Sequence, residues 1–371
     1  MATVKYKADK RIVMTLDAGG TNFVFSAVQA NEEIIEPVCL PSNATDLEKC
    51  LATITRGFTR VKELIPSYPA AISFAFPGPT DYPAGIIGDL TNLPAFRGGV
   101  ALGPMLEEQF KIPVYLNNDG DLFVYGEAIA GFLPYLNNLL EENDSPKRYR
   151  NLFGITLGTG FGGGIVYDGQ LYLGDNSAAA EIWCLRNKIH PGSFAEEGAS
   201  IRAVQRVYMN KSGQAGPEPP SPRDIFEIGT GNREGNQEAA LEAFNELGVV
   251  VGDALANSIT LLDAPIVIGG GLTGASSLFL PALVAEMNSQ LQNMSGKKIP
   301  RIDMKTFNLE NDAELEQFLK GEKKEVTVPG TSKKITYDPL KRTGIGISKL
   351  GTSKAVGIGA YAYALSMLDK G

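Results

Sequence analysis

The sequence predicts an α/β fold in two lobes, on three observations. Short apolar runs rich in β-formers alternate with segments of helical periodicity along most of the chain. Two of those runs break on glycine turns and resume at once, so each half of the chain opens with a glycine-turn hairpin. The 371 residues, 43% of them hydrophobic, suffice for two cores at about 100–200 residues per domain.

The elements follow in order. Ile12 to Leu16 and Phe23 to Val28 flank the first glycine turn and read as a hairpin. Asp46 to Leu64 is a helix, and Ala70 to Phe76 a buried strand ended by Pro77-Gly78-Pro79. Leu102 to Phe110 reads as a helix, Pro113 to Leu116 as a short strand, and Leu122 to Ala130 as a helix. The second hairpin is Leu152 to Leu157, Gly158-Thr159-Gly160, then Phe161 to Tyr167. Ile201 to Met209 is helical, and Ser212 to Arg223, rich in Gly, Pro and Ser, is an exposed loop. Ala239 to Leu262 is a helix, Pro265 to Ile268 a buried strand, and Leu278 to Met287 a helix. Lys323 to Asp338 breaks the rhythm as an exposed hairpin, and Ala355 to Leu368 closes the chain as a small-residue helix.

Composition narrows the function. A net charge of −8 disfavours a broad nucleic-acid surface. Three scattered cysteines, Cys39, Cys50 and Cys184, show neither a disulfide framework nor a metal-ligand spacing. No signal peptide or membrane-length apolar run is visible, so a cytoplasmic protein with no membrane partner is expected.

Four segments carry chemistry. In Asp17-Ala18-Gly19-Gly20-Thr21-Asn22, the glycines let main-chain N–H groups reach an anion, Thr21 and Asn22 add donors, and Asp17 suits Mg²⁺ or its water shell. The plainer reading is a glycine turn with Asp17 as a local cap. Gly158-Thr159-Gly160 gains meaning only by pairing with the first turn, and alone it is an ordinary turn between strands. Gly269-Gly270-Gly271 follows a strand and precedes a helix, as nucleotide-contacting turns do, or it is merely a tight connection. Asn117-Asn118-Asp119 ends a strand and enters a helix. Asp119 there suits a general base and Asn118 a hydroxyl-orienting amide, whereas the structural alternative is a helix N-cap. Asn92, in a turn, is a further hydroxyl partner or a solvated loop residue.

Together these segments resemble the ROK family of sugar kinases and repressors, of the actin-like ATPase superfamily, from about Ile12 to Leu368. The strings LDAGGTN, FAFPGPTD, LTNLPAF, PVYLNNDGDLFVYGEA, LGTGFGGGIV and PIVIGGGLTG carry the resemblance in order. It implies a two-lobed actin-like (ribonuclease H-like) fold with an interlobe cleft. Residues 1–120 would form one lobe, completed by the helix at 355–371, and residues 121–354 the other, with the hairpin 323–338 inserted. It implies ATP and Mg²⁺ as cofactors, Asp119 as catalytic base, and sugar contacts from Asn92, Asn118, Asp119, Glu181 and Glu196, with Glu197 as the alternative to Glu196. Phosphate and nucleotide contacts would come from Asp17, Gly19, Gly20, Thr21, Asn22, Gly158, Thr159, Gly160, Gly270 and Gly271, with Asp17 toward the metal.

The family's Glu-x-Gly-His sugar segment reads Glu181-Ile182-Trp183-Cys184 here, and the cysteine cluster that follows it in the family has no counterpart in Leu185 to Ala195. No structural zinc is therefore expected, and Trp183 either stacks on a sugar or fills the missing loop's volume. The resemblance implies a hexose kinase with glucose as acceptor and a homodimeric state. Fructose, mannose or an N-acetylhexosamine as acceptor, or sugar binding without catalysis, are the alternatives. A repressor would need an N-terminal helix-turn-helix, for which the chain before Ile12 leaves no room.

Overall fold

A computed structural model describes residues 5–91, 93–213 and 218–370. Its chain contacts divide into two compact units. One holds the chain through Pro134, residues 164–179 and the C-terminal segment from Lys349; the other holds 135–163 and 180–348.

The first unit is built on a sheet. β1 (Val13–Ala18) and β2 (Asn22–Gln29) form the first glycine hairpin, extended by the short strands β3 (Glu32–Glu33) and β4 (Val38–Pro41). Helix α1 (Leu47–Leu64) starts at Asp46, whose carboxylate accepts the Lys49 N–H at 3.1 Å. Its Cys50, Ile54, Phe58 and Val61 fall on one buried stripe. β5 (Ala71–Ala75) is buried along its whole length, as a central parallel strand must be. The short strands β6 (Thr80–Asp81), β7 (Ile86–Ile87) and β8 (Val100–Ala101) make a small antiparallel sheet ahead of α2 (Leu102–Phe110). β9 (Val114–Asn117) and α3 (Asp119–Ile129) follow. The sheet order is β3-β2-β1-β5-β9, with β4 on β2; β1, β5 and β9 run parallel. Phe23, Phe25, Phe58, Phe74, Phe76 and Phe96 link ring to ring through the core between sheet and α1.

The C-terminal helix, α10 in chain order (Thr352–Leu368), packs on α3. The two helices touch backbone to backbone. A Cβ on Gly126 would strike the carbonyl of Ala355, and one on Gly359 that of Leu122. This contact is why the units do not divide at residue 120, as the sequence suggested: that boundary would cut α3 after its second residue, and the division falls after Pro134 instead. The buried Glu127 carboxylate also gathers the N–H groups of Phe132 and Leu350, at 2.6 and 3.1 Å.

The second unit begins within α4 (Phe132–Glu142). β10 (Leu152–Leu157) and β11 (Phe161–Tyr167) form the second glycine hairpin; β11 continues past Gly163 into the first unit's segment, where β12 (Gln170–Tyr172) pairs with it. α5 (Ile201–Ser212) and α6 (Pro222–Gly229) precede the 26-residue α7 (Gln237–Leu262). β13 (Ile266–Gly269) and α8 (Ser276–Met287) follow. A small exposed hairpin, β14 (Gln290–Gln292) with β15 (Lys298–Pro300), leads to β16 (Lys305–Asn308) and α9 (Asp312–Lys320). The expected 323–338 hairpin is β17 (Lys324–Thr327) with β18 (Lys334–Tyr337), exposed throughout. Its base is pinned by the buried ion pair of Asp338 and Arg342. Burial alone would raise the Asp338 pKa. The Arg342 guanidinium and the N–H groups of Glu322 and Leu340 outweigh burial and hold it below the usual value. β19 (Arg342–Ile347) completes a sheet in which β10, β13, β19 and β16 run parallel.

Candidate active site

In the first unit the register sets the site. Asp17 on β1 lies opposite Ala75 on β5, and Ala75 opposite Asn117 on β9. The carboxyl ends of three parallel strands therefore stop at one level, the edge where α/β sheets bind ligands. Past β1 the chain turns through Gly19 and Gly20. A Cβ on Gly19 would sit 2.7 Å from the Asn22 carbonyl, so the tight return needs glycine. Ser42, buried, was not singled out from sequence. Its hydroxyl donates to the Gly20 carbonyl at 2.6 Å and its N–H to the Thr21 carbonyl at 2.9 Å, which fixes the turn while Thr21 and Asn22 stay exposed.

Past β9 the cap is Asn118, not Asp119. The Asn118 side-chain oxygen accepts the Gly120 N–H at 2.8 Å. That leaves its amide NH₂ as the group able to meet a ligand hydroxyl. Asp119 is the first residue of α3, with its Oδ1 3.0 Å from the same N–H. Asn117, buried, locks the bend by accepting the Asn118 N–H at 3.0 Å. Asn92 lies outside the described residues.

Asp17 feels the charge on Asp119. The Asp17 pKa is raised, first by the protein packed around it and second by the charge on Asp119. The folded chain thus keeps a proton on Asp17 to higher pH than the unfolded chain does. Its charged form costs stability above the raised value, and that cost disappears as pH falls through it toward the ordinary value of about 3.9. Asp17→Asn is therefore expected to raise the ligand-free melting temperature at pH 7 and to lose that advantage in acid, as thermal scans at the two pH values would show.

The second unit has its own edge. Thr156 on β10 lies opposite Gly269 on β13, so the turn at Gly158, Thr159 and Gly160 and the turn at Gly270 and Gly271 leave the sheet side by side. Gly270 has φ +91° and ψ 172°, a conformation reserved for glycine, and a Cβ there would drive into the Leu157 backbone. A Cβ on Gly158 would lie 3.9 Å from the Gly271 nitrogen. Glu196 belongs to this edge too. Its Oε2 accepts the Phe161 N–H at 3.0 Å and its Oε1 the Arg202 guanidinium at 2.6 Å. Glu197 pairs with Arg202 and Arg206 at 3.1 and 2.9 Å. Glu196 is the one of the two carboxylates set against the glycine turn.

Glu181 opens a short 3-10 turn and is exposed. Trp183 does not fill a void: it is 40% exposed and packs edge-on against Phe194, ring centres 5.7 Å apart. The loop between them is organised by Asn187, fully buried. Its side-chain oxygen accepts the N–H groups of Ile189 and His190, both at 2.9 Å, and its amide donates to the Phe194 carbonyl at 3.4 Å. Among the described residues no three His, Cys, Asp or Glu side chains gather as a metal site. Asn187→Ala would strand these backbone groups and is expected to cost about 1–3 kcal/mol, read by urea unfolding.

The sequence model of the ROK family matches residues 13–315. A crystal structure of glucokinase from Parabacteroides distasonis is 55% identical, with a TM-score of 0.89 over 98% of this chain and 99% of that one. An N-acetyl-D-glucosamine kinase of Vibrio cholerae is 26% identical over 283 residues, 71% of this chain and 85% of that protein. A glucokinase of Halalkalibacterium halodurans is 25% identical over 330 residues, 80% and 91% of the two. The glycine hairpins, the Asn-Asn-Asp helix start and the match across most of the sequence lead to one assignment: this chain belongs to the ROK family.

Proposed function

We propose that this chain is an ATP-dependent hexose kinase that passes the γ-phosphoryl group to a sugar hydroxyl, with glucose as the preferred acceptor. The observation that carries the reading is the pairing, on one sheet edge, of a carboxylate at a helix start, Asp119, with a carboxylate beside a braced glycine turn, Asp17. Phosphoryl transfer asks the protein for positioning, charge neutralisation and a base near the acceptor hydroxyl. Asp119 is the base that accepts the hydroxyl proton as the oxygen attacks phosphorus. Asn118 orients the sugar through its amide, and Glu181, Glu196 and Asn92 accept or donate to its remaining hydroxyls.

The turn from Gly19 to Asn22 receives the terminal phosphates on main-chain and side-chain donors. Gly158, Thr159, Gly160, Gly270 and Gly271 are assigned as further nucleotide contacts. Mg²⁺ fits this donor set, since that ion takes one or two carboxylates and completes its shell with phosphate and water oxygens. Asp17 would hold it, directly or through a water, and the ion would neutralise charge on the phosphates.

The Vibrio relative's name makes N-acetyl-D-glucosamine the main competing acceptor. The test is coupled ADP release with ATP and Mg²⁺ over glucose, fructose, mannose and N-acetyl-D-glucosamine. Release that depends on glucose above the others supports the reading. ATP turnover independent of any sugar, or sugar binding without release, contradicts it.

A further inference from the structure

We propose that Trp183 is a positioning residue that aims the Glu181 carboxylate at a hexose hydroxyl, an inference that rests on the hexose-kinase reading above. Three features of the second unit converge on it. The Trp183 indole N–H donates to Glu181 Oε2, and no other donor among the described residues reaches that carboxylate. The indole is in turn fixed by Phe194, whose ring meets it at 89° and whose backbone bridges to Arg186 across the Asn187-organised loop. The backbone beneath Glu181 is also constrained. Ala180 sits at φ +61°, a left-handed conformation uncommon for a residue with a side chain, and the Cys184 thiol donates to the Glu181 carbonyl at 2.9 Å.

An exposed glutamate would ordinarily sample several rotamers and pay entropy to settle on a ligand. Here one oxygen is tethered, so Oε1 is left to accept a sugar hydroxyl from a narrowed set of orientations. The half-exposed indole then borders the same hydroxyl with an apolar face. The two exposed aromatics are thereby explained: they form a brace whose polar end is spent on Glu181.

The chain has one tryptophan, so its emission reports on this residue alone. Titrating the intact protein with glucose is expected to give a saturable change in tryptophan fluorescence. Trp183→Phe keeps an aromatic ring, smaller than the indole, and removes the N–H. It is expected to weaken glucose binding, measured by calorimetry, roughly tenfold while leaving ATP affinity and melting temperature near wild type. In a Glu181→Gln background the same substitution is expected to add little, because the partner it positions is already altered.

The proposal is overturned if glucose binds by calorimetry without changing the fluorescence, or if Trp183→Phe leaves glucose affinity unchanged. It is equally overturned if that variant loses sugar and ATP binding together with melting temperature, which is the mark of a role in folding alone. Hexose-dependent ADP release by the same wild-type preparation keeps the two readings apart. Its absence removes the kinase assignment, while the binding titrations still decide the role of Trp183.

Discussion

Asp119→Asn is expected to lower kcat by about 10²–10⁴-fold, the share general-base catalysis commonly carries, while glucose still binds with near-normal affinity. The substitution keeps the shape and the hydrogen-bonding oxygen that sits over the Gly120 N–H, so the start of α3 should persist. Asn118, not Asp119, caps that helix, and removing the carboxylate charge therefore does not unravel it. What disappears is the acceptor for the hydroxyl proton. A second consequence follows from the neighbouring carboxylate. With the charge on Asp119 gone, the Asp17 pKa should fall part of the way toward its ordinary value, and only part, because burial is the larger cause of the shift. Single-turnover kinetics alongside glucose calorimetry separate loss of chemistry from loss of binding. Near-normal turnover would remove Asp119 from the role.

The second large effect lies at the other sheet edge and comes as a contrast between adjacent glycines. Gly270→Ala forces a side chain into a glycine-only conformation and onto the Leu157 backbone. Strain of that kind costs about 1–3 kcal/mol before the clash is counted. A fall in melting temperature of roughly 2–12 °C is expected from the strain, at about 2–4 °C per kcal/mol for a unit of this size. Gly271 has open space where its Cβ would be. Gly271→Ala should therefore fold with near-normal stability, yet it places a methyl group where the nucleotide is proposed to lie. Its expected signature is a raised KM for ATP, by about tenfold for a misfit of one or two kcal/mol, with glucose affinity unchanged. A Gly271→Ala enzyme with normal ATP affinity would move the nucleotide away from this turn.

Much of this architecture is written locally. The glycine hairpins, the buried run of β5 and the α2 helix announce themselves by period and by turn residues over fewer than twenty positions, and the structure holds them there. β19 does not. Arg342-Thr343-Gly344-Ile345-Gly346-Ile347 is not among the elements read from sequence, yet it is a parallel strand between β13 and β16. Gly344 is there because Leu309 occupies the space a side chain would need, a contact across 35 positions that no window shows.

The site divides the same way. Asp119 and the glycine turns are legible because their chemistry is compressed into short strings. Ser42 bracing Gly20, Glu196 holding Phe161 and Asn187 closing its loop become visible only when distant segments meet. The division by contacts falls after Pro134 rather than at residue 120 for a related reason: α3 belongs to the unit of α10, more than two hundred residues away, through two glycines whose spacing alone says nothing about a partner.

A crystal structure of the wild-type protein with glucose and a non-hydrolysable ATP analogue tests the central claim most directly. The account predicts an Asp119 carboxylate oxygen within about 2.6–3.2 Å of the acceptor hydroxyl, with that hydroxyl facing the γ-phosphorus. A bound sugar whose phosphate-facing hydroxyl meets a different side chain, with Asp119 turned away, would contradict it.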